Sequence, residues 1–244
     1  MQKGRLDLLL VERGLVESRA KAQALIMAGR VRVEGQVELK ASCAVPPDAV
    51  LSLETGPRFV SRGGDKLEAA LSGFQVDVSG RVCADVGAST GGFTDCLLQH
   101  GAARVYAVDV GHGQLHWRLR NDPRVVLKEG INARYLRPGD LPEQPALAAV
   151  DVSFISLTKI LPAVKELLAM GGEIVALIKP QFEAGRKQVG KGGVVRDAGV
   201  QQQVIGDIRE FGTQHLGLEW LGVCVSPLKG PAGNVEFLAH WKRP

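Results

Sequence analysis

Charged side chains stand at the ends of four short apolar stretches that the sequence predicts to be buried strands: Asp85, Asp109, Asp151 and Lys179. Open α/β sheets bind ligands outside the carboxyl ends of their parallel strands. Carboxylates at such an edge can accept hydrogen bonds from ligand hydroxyl groups. A lysine that ends a buried strand is unusual and calls for a functional explanation. The pattern therefore predicts a polar ligand site at one edge of a sheet.

A glycine-rich loop follows the first of these strands, with glycines at 87, 91 and 92. Glycines let the backbone approach a ligand closely. The dinucleotide fingerprint G-x-G-x-x-G does not match, and the anionic Asp85 would sit poorly near a pyrophosphate. The nucleophile elbow G-x-S-x-G does match, but an α/β hydrolase needs several strands upstream, where the sequence predicts a separate small domain.

A loop that binds S-adenosylmethionine fits this stretch better, because an acidic residue before the glycines suits the cationic methionine end of a cofactor without phosphates. Asp109 follows Asp85 by 24 residues and is placed to accept hydrogen bonds from the adenosine ribose, with a helix cap as the alternative or additional role. Asn132 would border the adenine. The predicted cofactor-binding set is Asp85, Gly87, Ser89, Gly91, Gly92, Phe93, Asp109 and Asn132.

Lys66 and Glu236 lie where ordinary helix and strand preferences do not explain them. Lys66 is at the start of a predicted helix, where a cation is unfavourable for the helix dipole, and Glu236 lies among apolar residues of the last predicted strand. The alternative interpretation makes both surface residues, with Lys66 near Glu68 and Glu236 paired with Lys242 or Arg243.

The N-terminal segment carries the excess positive charge of this chain. The formal net charge is +4, and residues 1–33 alone contain seven basic and three acidic residues. The pattern predicts two short helices and a hairpin that turns at Glu34-Gly35. Five basic residues here are predicted to bind RNA phosphates, with an ordinary solvated face as the alternative: Arg5, Arg19, Lys21, Arg30 and Arg32.

Length and composition predict two domains in the 244 residues, at 1–55 and 61–244, joined by a linker at 56–60. No apolar run is long enough to span a bilayer, so we expect a cytoplasmic protein without membrane contact. The cysteines lack the paired spacing of a metal site or a disulfide framework, and we predict no metal. The oligomeric state cannot be inferred from the sequence.

Two resemblances sharpen these expectations. The runs 5–7, 18–22 and 29–35 resemble an S4 RNA-binding domain. Essentially the whole chain resembles the TlyA (hemolysin A) family, whose catalytic domain is similar to the FtsJ-type ribose 2′-O-methyltransferases. The resemblance implies an α/β fold with a Rossmann-like seven-stranded sheet, S-adenosylmethionine as cofactor, and methylation of a cytidine ribose in ribosomal RNA or ribosomal subunits. It also implies a Lys, Asp, Lys, Glu tetrad, matched here by Lys66, Asp151, Lys179 and Glu236.

The chemistry of methyl transfer gives each member of the tetrad a predicted role. A ribose hydroxyl is a poor nucleophile, so a base must remove its proton, and Lys179 is the predicted base. Asp151 would orient Lys179, while Lys66 and Glu236 would position the ribose. The glycine-rich basic stretch 185–193 is predicted to be either a lid over the RNA or a solvated loop. Three other functions remain open: a membrane-active hemolysin, a non-catalytic RNA-binding protein, and a methyltransferase acting on a base.

Overall fold

The computed structural model describes residues 3–54 and 56–244 of the chain, which divides into two compact units, Met1–Arg58 and Phe59–Pro244. The division falls within the predicted linker 56–60. Met1, Gln2 and Thr55 belong to the first predicted domain but lie outside the described residues.

The N-terminal unit combines two short helices with short strands. Ser18 caps the second helix by accepting a hydrogen bond from the backbone N–H of Lys21. The predicted hairpin is confirmed, because Glu34 and Gly35 form its turn with φ of 52° and 79°. The elements are β1 (Gly4–Arg5), α1 (Leu6–Glu12), α2 (Arg19–Met27), β2 (Val31–Val33), β3 (Gln36–Val37), β4 (Ala44–Val45) and β5 (Leu51–Leu53).

The C-terminal unit is built on a seven-stranded sheet, which confirms the predicted fold class. The strands lie in the order β11, β12, β10, β9, β6, β7, β8. Among the described strands of this sheet, β12 pairs antiparallel with both of its neighbours, β11 and β10. The other four pairings are parallel. The strands are β6 (Val82–Val86), β7 (Arg104–Val108), β8 (Val125–Lys128), β9 (Leu147–Val150), β10 (Glu173–Ile178), β11 (Glu219–Val225) and β12 (Phe237–Lys242).

Helices cover both faces of the sheet, so its central strands are mostly apolar, with Asp85 of β6 as a buried exception. Ala84 and Val86 pack into one buried cluster and Cys83 into the other, as the alternation of a strand requires. The helices are α3 (Gly63–Phe74), α4 (Gly92–Gln99), α5 (Trp117–Arg120), α6 (Leu161–Leu167), α7 (Pro180–Glu183) and α8 (Ala198–Glu210). In the described part of the chain, no helix combines the length and the apolar character needed to span a membrane.

The order of the strands decides where a ligand can bind. The chain proceeds from β6 to β7 and β8 on one side of the sheet, and from β9 to β10 on the other. β6 and β9 are nevertheless direct neighbours. The loops that follow them leave in opposite directions, which opens a crevice at the carboxyl ends of these two strands.

Candidate active site

The loop after β6 contacts the end of β9 closely because it contains glycine. Gly87 has a φ of +89°, and a side chain there would overlap the backbone carbonyl of Asp151. Gly92, at the start of α4, faces Ser61 and the first turn of α3 with no room for a Cβ. The glycines therefore bring the loop, Asp151 and the start of α3 together, as well as allowing a ligand to approach.

Asp85 is placed behind this loop, not in the crevice. Its carboxylate is fully buried and accepts hydrogen bonds from the backbone N–H and the Oγ1 of Thr94, at 2.8 and 2.6 Å. Burial raises the pKa of Asp85 to about 7. We expected this carboxylate to face the methionine end of a cofactor. The structure instead directs it beneath α4, whose first turn it holds against the sheet, and it does not line either cavity of the site.

The larger of two adjoining cavities lies between the loops after β6, β7, β8 and β9 and has a volume of about 490 Å³. Asp109 and Asn132 both line it. The Asp109 carboxylate accepts hydrogen bonds from the backbone N–H groups of Ser89 (2.8 Å) and Gly111 (2.7 Å). Asp109 thus holds the loop in shape and still faces the cavity, but it does not cap the next helix, α5, whose N-cap is His116. The predicted cofactor residues that line this cavity are Gly87, Ser89, Asp109 and Asn132.

The smaller cavity, of about 280 Å³, shares Gly87, Ser89, Asp151 and Ser153 with the larger one. It is also lined by Gly92 and Phe93 from the predicted cofactor set and by three members of the tetrad. Gly91 lines neither cavity; its φ of +96° instead allows the turn into α4.

The tetrad forms two ion pairs at the smaller cavity, one of them buried and the other containing the half-buried Asp151. Nζ of Lys179 lies 2.6 Å from Oδ1 of Asp151 and donates a hydrogen bond to Oγ of Ser153 at 2.8 Å. Nζ of Lys66 lies 2.5 Å from Oε2 of Glu236. Lys66 is 9% exposed, Lys179 8% and Glu236 1%. The surface pairings considered for Lys66 and Glu236 are therefore wrong.

Four elements that are distant in sequence supply these side chains. Lys66 lies on α3, Asp151 directly follows β9, and Lys179 directly follows β10. The antiparallel register pairs Ile178 with Phe237, so Lys179 and Glu236 are the next residues on the adjacent strands β10 and β12. The sheet therefore brings Asp151, Lys179 and Glu236 together from three neighbouring strands, and α3 adds Lys66.

Sequence reasoning missed Ser153 and Phe154. Ser153 accepts a hydrogen bond from the Lys179 amine and so directs it. Phe154 lines the larger cavity, is 90% exposed, and has a φ of +63°, which is strained for a phenylalanine. Its ring lies 5.1 Å from that of Phe182. An exposed phenylalanine cannot be recognised from sequence, because most phenylalanines are buried.

Three of the five predicted RNA-binding residues have acidic partners in the N-terminal unit. Arg5 donates to both oxygens of the buried Asp7, and Arg19 donates to Oδ2 of Asp7 at 2.9 Å. These hydrogen bonds, chiefly that of Arg5, hold the pKa of Asp7 well below its usual range. Arg32 pairs with Glu54. Lys21 is exposed, and Arg30 is half-buried.

A group of potential metal ligands lies outside the crevice, between α3 and α4. Atoms of Glu68, Cys96 and His100 lie within 4.8 Å of one another. Nε2 of His100 is 2.5 Å from Oε2 of Glu68, which is the distance of a hydrogen bond between them. This contact accounts for the arrangement without an ion.

Comparison with known proteins gives matches along nearly the whole chain. The profile of the "FtsJ-like methyltransferase" family matches residues 59–243, and that of the "S4 domain" matches residues 4–51. "Putative rRNA methyltransferase YqxC" of Bacillus subtilis is 49% identical, over 100% of this chain and 87% of its own length. "16S/23S rRNA (cytidine-2'-O)-methyltransferase TlyA" of Mycobacterium tuberculosis is 48% identical, over 99% of this chain and 90% of its own.

Solved structures agree with these matches. The structure entitled "Putative hemolysin from Streptococcus thermophilus" is 45% identical and superposes with a TM-score of 0.75, covering 100% of this chain and 89% of that one.

Proposed function

Because the chain belongs to the FtsJ-like methyltransferase family and to its TlyA branch, we propose that it transfers a methyl group from S-adenosylmethionine to the ribose 2′-hydroxyl of a cytidine in ribosomal RNA. The observation that carries the proposal is the meeting of two lysine–carboxylate pairs at a cavity that adjoins a larger one. A reaction in which a hydroxyl must lose a proton needs such groups at the acceptor.

The larger cavity fits S-adenosylmethionine. Among the described residues that line it there is no lysine or arginine, so it offers no cationic side chain to a phosphate. Asp109 and Asp151 give it negative charge, which suits a sulfonium ion, and Val110, Ile131 and Ile155 are apolar neighbours for an adenine ring. We propose that Asp109 accepts hydrogen bonds from the ribose hydroxyls and that Asn132 borders the adenine. The bound cofactor would supply an electrophilic methyl group.

Lys179 is the proposed base. Asp151 and Ser153 both contact its Nζ, so the amine is held in one position at the cavity wall. Nζ of Lys179 would accept the proton of the ribose 2′-hydroxyl, and the cofactor held at the larger cavity would supply the methyl group. The proton ends on Lys179, and the product ribose carries the methyl group.

The Lys66–Glu236 pair is proposed to position the ribose. The Glu236 carboxylate can accept a hydrogen bond from a ribose hydroxyl, and Lys66 can donate one. Each keeps the other charge-paired before the substrate arrives, which avoids an isolated buried charge. The pair thus offers a donor and an acceptor without a net charge.

Phe154 is proposed to stack on the target base. Sequence-specific RNA recognition commonly uses unstacked bases that lie on aromatic side chains. Phe154 exposes its ring at the mouth of the site, two residues after Val152 and next to the serine that holds Lys179. The N-terminal unit would bind the RNA backbone through Lys21, Arg30 and the outward-facing donors of Arg5, Arg19 and Arg32. Action on ribosomal RNA would make the protein cytoplasmic.

The test is methyl transfer from labelled S-adenosylmethionine to unmodified ribosomal subunits, followed by nuclease digestion. We expect the label in 2′-O-methylcytidine. Label on a base would preserve the methyltransferase assignment but contradict the proposed acceptor. An enzyme that binds the cofactor and RNA yet transfers no label would favour a non-catalytic RNA-binding role.

A further inference from the structure

The segment between α7 and α8 presents three exposed cations on a glycine-rich turn. Arg186, Lys187 and Lys191 are all exposed. The turn closes where the backbone N–H of Gly190 donates to the carbonyl of Val194 at 3.1 Å, and Gly192 and Gly193 have φ of +82° and +74°. We name residues 186–194 the basic turn. A glycine-rich segment of this kind loses much conformational freedom when it is ordered, so its position needs a specific anchor.

Asn234 provides that anchor. Its side chain is 1% exposed. Its Oδ1 accepts a hydrogen bond from the backbone N–H of Val195, and its Nδ2 donates one to the carbonyl of Gly193, both at 2.9 Å. One amide group therefore satisfies a donor and an acceptor of the same backbone segment, much as a neighbouring strand would.

Asn234 also belongs to a loop that forms part of the wall of the smaller cavity. It lies in the loop 226–236, whose residues Leu228, Lys229 and Pro231 line that cavity. The backbone carbonyl of Asn234 accepts a hydrogen bond from Gly230 at 2.9 Å. Glu236 follows two residues later and pairs with Lys66. The same residue thus contacts the basic turn through its side chain and shapes the cavity loop through its backbone.

We propose that Asn234 is a positioning residue that fastens the basic turn to the cavity wall, so that Arg186, Lys187 and Lys191 hold the RNA backbone beside the entering ribose. This inference rests on the proposed function. The cations are most useful to binding when they are already in place, because ordering them at the moment of binding would cost affinity. The loss of either hydrogen bond would leave a backbone group of the turn without its partner.

The test is a double-mutant cycle between Asn234→Ala and a basic turn neutralised by R186Q, K187Q and K191Q. In the native background we expect Asn234→Ala to raise the Kd for unmodified ribosomal RNA and the KM by about tenfold, with cofactor affinity unchanged within about twofold. In the neutralised background the same substitution should change either value by less than about twofold, because its effect acts through the removed cations.

The salt dependence of RNA binding supplies a second readout, which a loss of stability alone would not move. Asn234→Ala should reduce the slope of log Kd against log salt, since fewer cations then contact phosphates. Ser226→Ala is the matched control: it removes the hydrogen bond from Oγ to the Leu228 carbonyl in the same loop, without touching the basic turn. We expect Ser226→Ala to leave the RNA Kd and the slope unchanged.

Additive effects in the cycle, or an equal loss of cofactor and RNA affinity in Asn234→Ala, would overturn the inference. If Asn234→Ala does not fold, Asn234→Asp replaces it, since Asp keeps the acceptor for Val195 but loses the donor to Gly193. The double-mutant cycle is measured by the Kd for RNA as well as by turnover. Failure of the inference is therefore distinguishable from failure of the proposed function, which would appear as an unmutated enzyme that transfers no methyl group.

Discussion

The basic side chains in the ion pairs of the N-terminal unit are more exposed than those at the cavity of the C-terminal unit. We relate the exposed pairs to RNA binding and the buried ones to catalysis. Arg5 and Arg19 keep about half of their side chains exposed while they share the buried Asp7. At the cavity, the amines of Lys66 and Lys179 are themselves nearly buried. An exposed arginine with a partner retains outward donors for a phosphate. A buried lysine with a partner is held in position to contact one ligand atom. Removing its partner costs stability, because the buried charge is then unpaired.

The largest effect should come from breaking the Lys66–Glu236 pair. Lys66→Met leaves Glu236 buried without its partner, so we expect the free energy of unfolding to fall by about 3–5 kcal/mol and methyl transfer to fall by at least about a hundredfold. Chemical denaturation and initial rates measure the two effects.

The double variant Lys66→Met with Glu236→Leu separates stability from function. With both charges removed, we expect most of the stability to return while activity stays low. A double variant that regains activity together with stability would show that the pair is structural, and would remove the distinction between the two kinds of ion pair.

Phe154 should have the next largest effect. Phe154→Ala should lower kcat/KM for RNA by about tenfold, which lies within the 1–3 kcal/mol, roughly, that stacking of one base contributes. Phe154→Tyr should restore the activity, because it keeps the aromatic face. Phe154→Gly should relieve the strain of the positive φ and still lose the activity. Full activity of Phe154→Gly would contradict the stacking role.

Asp85 should make stability depend on pH in the direction opposite to that of a paired carboxylate. Its pKa of about 7 exceeds the ordinary value of 3.8, so the folded state binds the proton more tightly than the unfolded state between these values. Stability contributed by this group is present at acid pH and is lost as pH rises from about 4 to 7.

Asp85→Asn should therefore change the free energy of unfolding of the cofactor-free protein more favourably at pH 8 than at pH 4, by about 1–3 kcal/mol. The reason is that an amide needs no proton to remain neutral. Thermal melts of both proteins across this range measure the difference. A parallel pH dependence in the two proteins would show that Asp85 is ionised when buried.

Arg19 should have the smallest effect. Arg19→Ala should weaken RNA binding by about threefold and reduce the magnitude of the salt slope by about 1, as expected for one phosphate contact. Arg209→Ala, on α8, is the control and should change neither value. A loss of activity in Arg19→Ala that does not depend on salt would contradict a phosphate-binding role. It would indicate that Arg19, like Lys66 and Lys179, acts in methyl transfer.

Much of the site follows from the sequence because the parallel strands of a sheet end at a common edge. Asp151 and Lys179 follow β9 and β10, which are parallel neighbours, so the strand pattern alone predicts that they meet. The predicted roles already grouped Lys179 with Asp151 and Lys66 with Glu236. What the sequence does not show is the insertion of β12 beside β10 in antiparallel register, which brings Glu236 next to Lys179 and which no local spacing encodes.

Two carboxylates are buried in ways that the sequence does not reveal. Asp85 is predicted to face the cofactor, whereas its carboxylate in the structure accepts hydrogen bonds from Thr94 of α4. Asp7 received no role, because aspartate is seldom buried, yet it collects hydrogen bonds from Arg5, Arg19 and Gln23. The sequence identifies the charged residues but does not show which of them lie inside.

The most direct test of the account is a single-turnover measurement on Lys179→Met, with cofactor and RNA binding measured separately and Lys242→Met, at the far end of β12 from Glu236, as the matched control. If the buried Lys179 removes the proton, the rate of methyl transfer should fall by about 10²–10⁴-fold, while both dissociation constants stay within about threefold and the control remains fully active. Methyl transfer by Lys179→Met at the unmutated rate, with both ligands bound, would contradict the account.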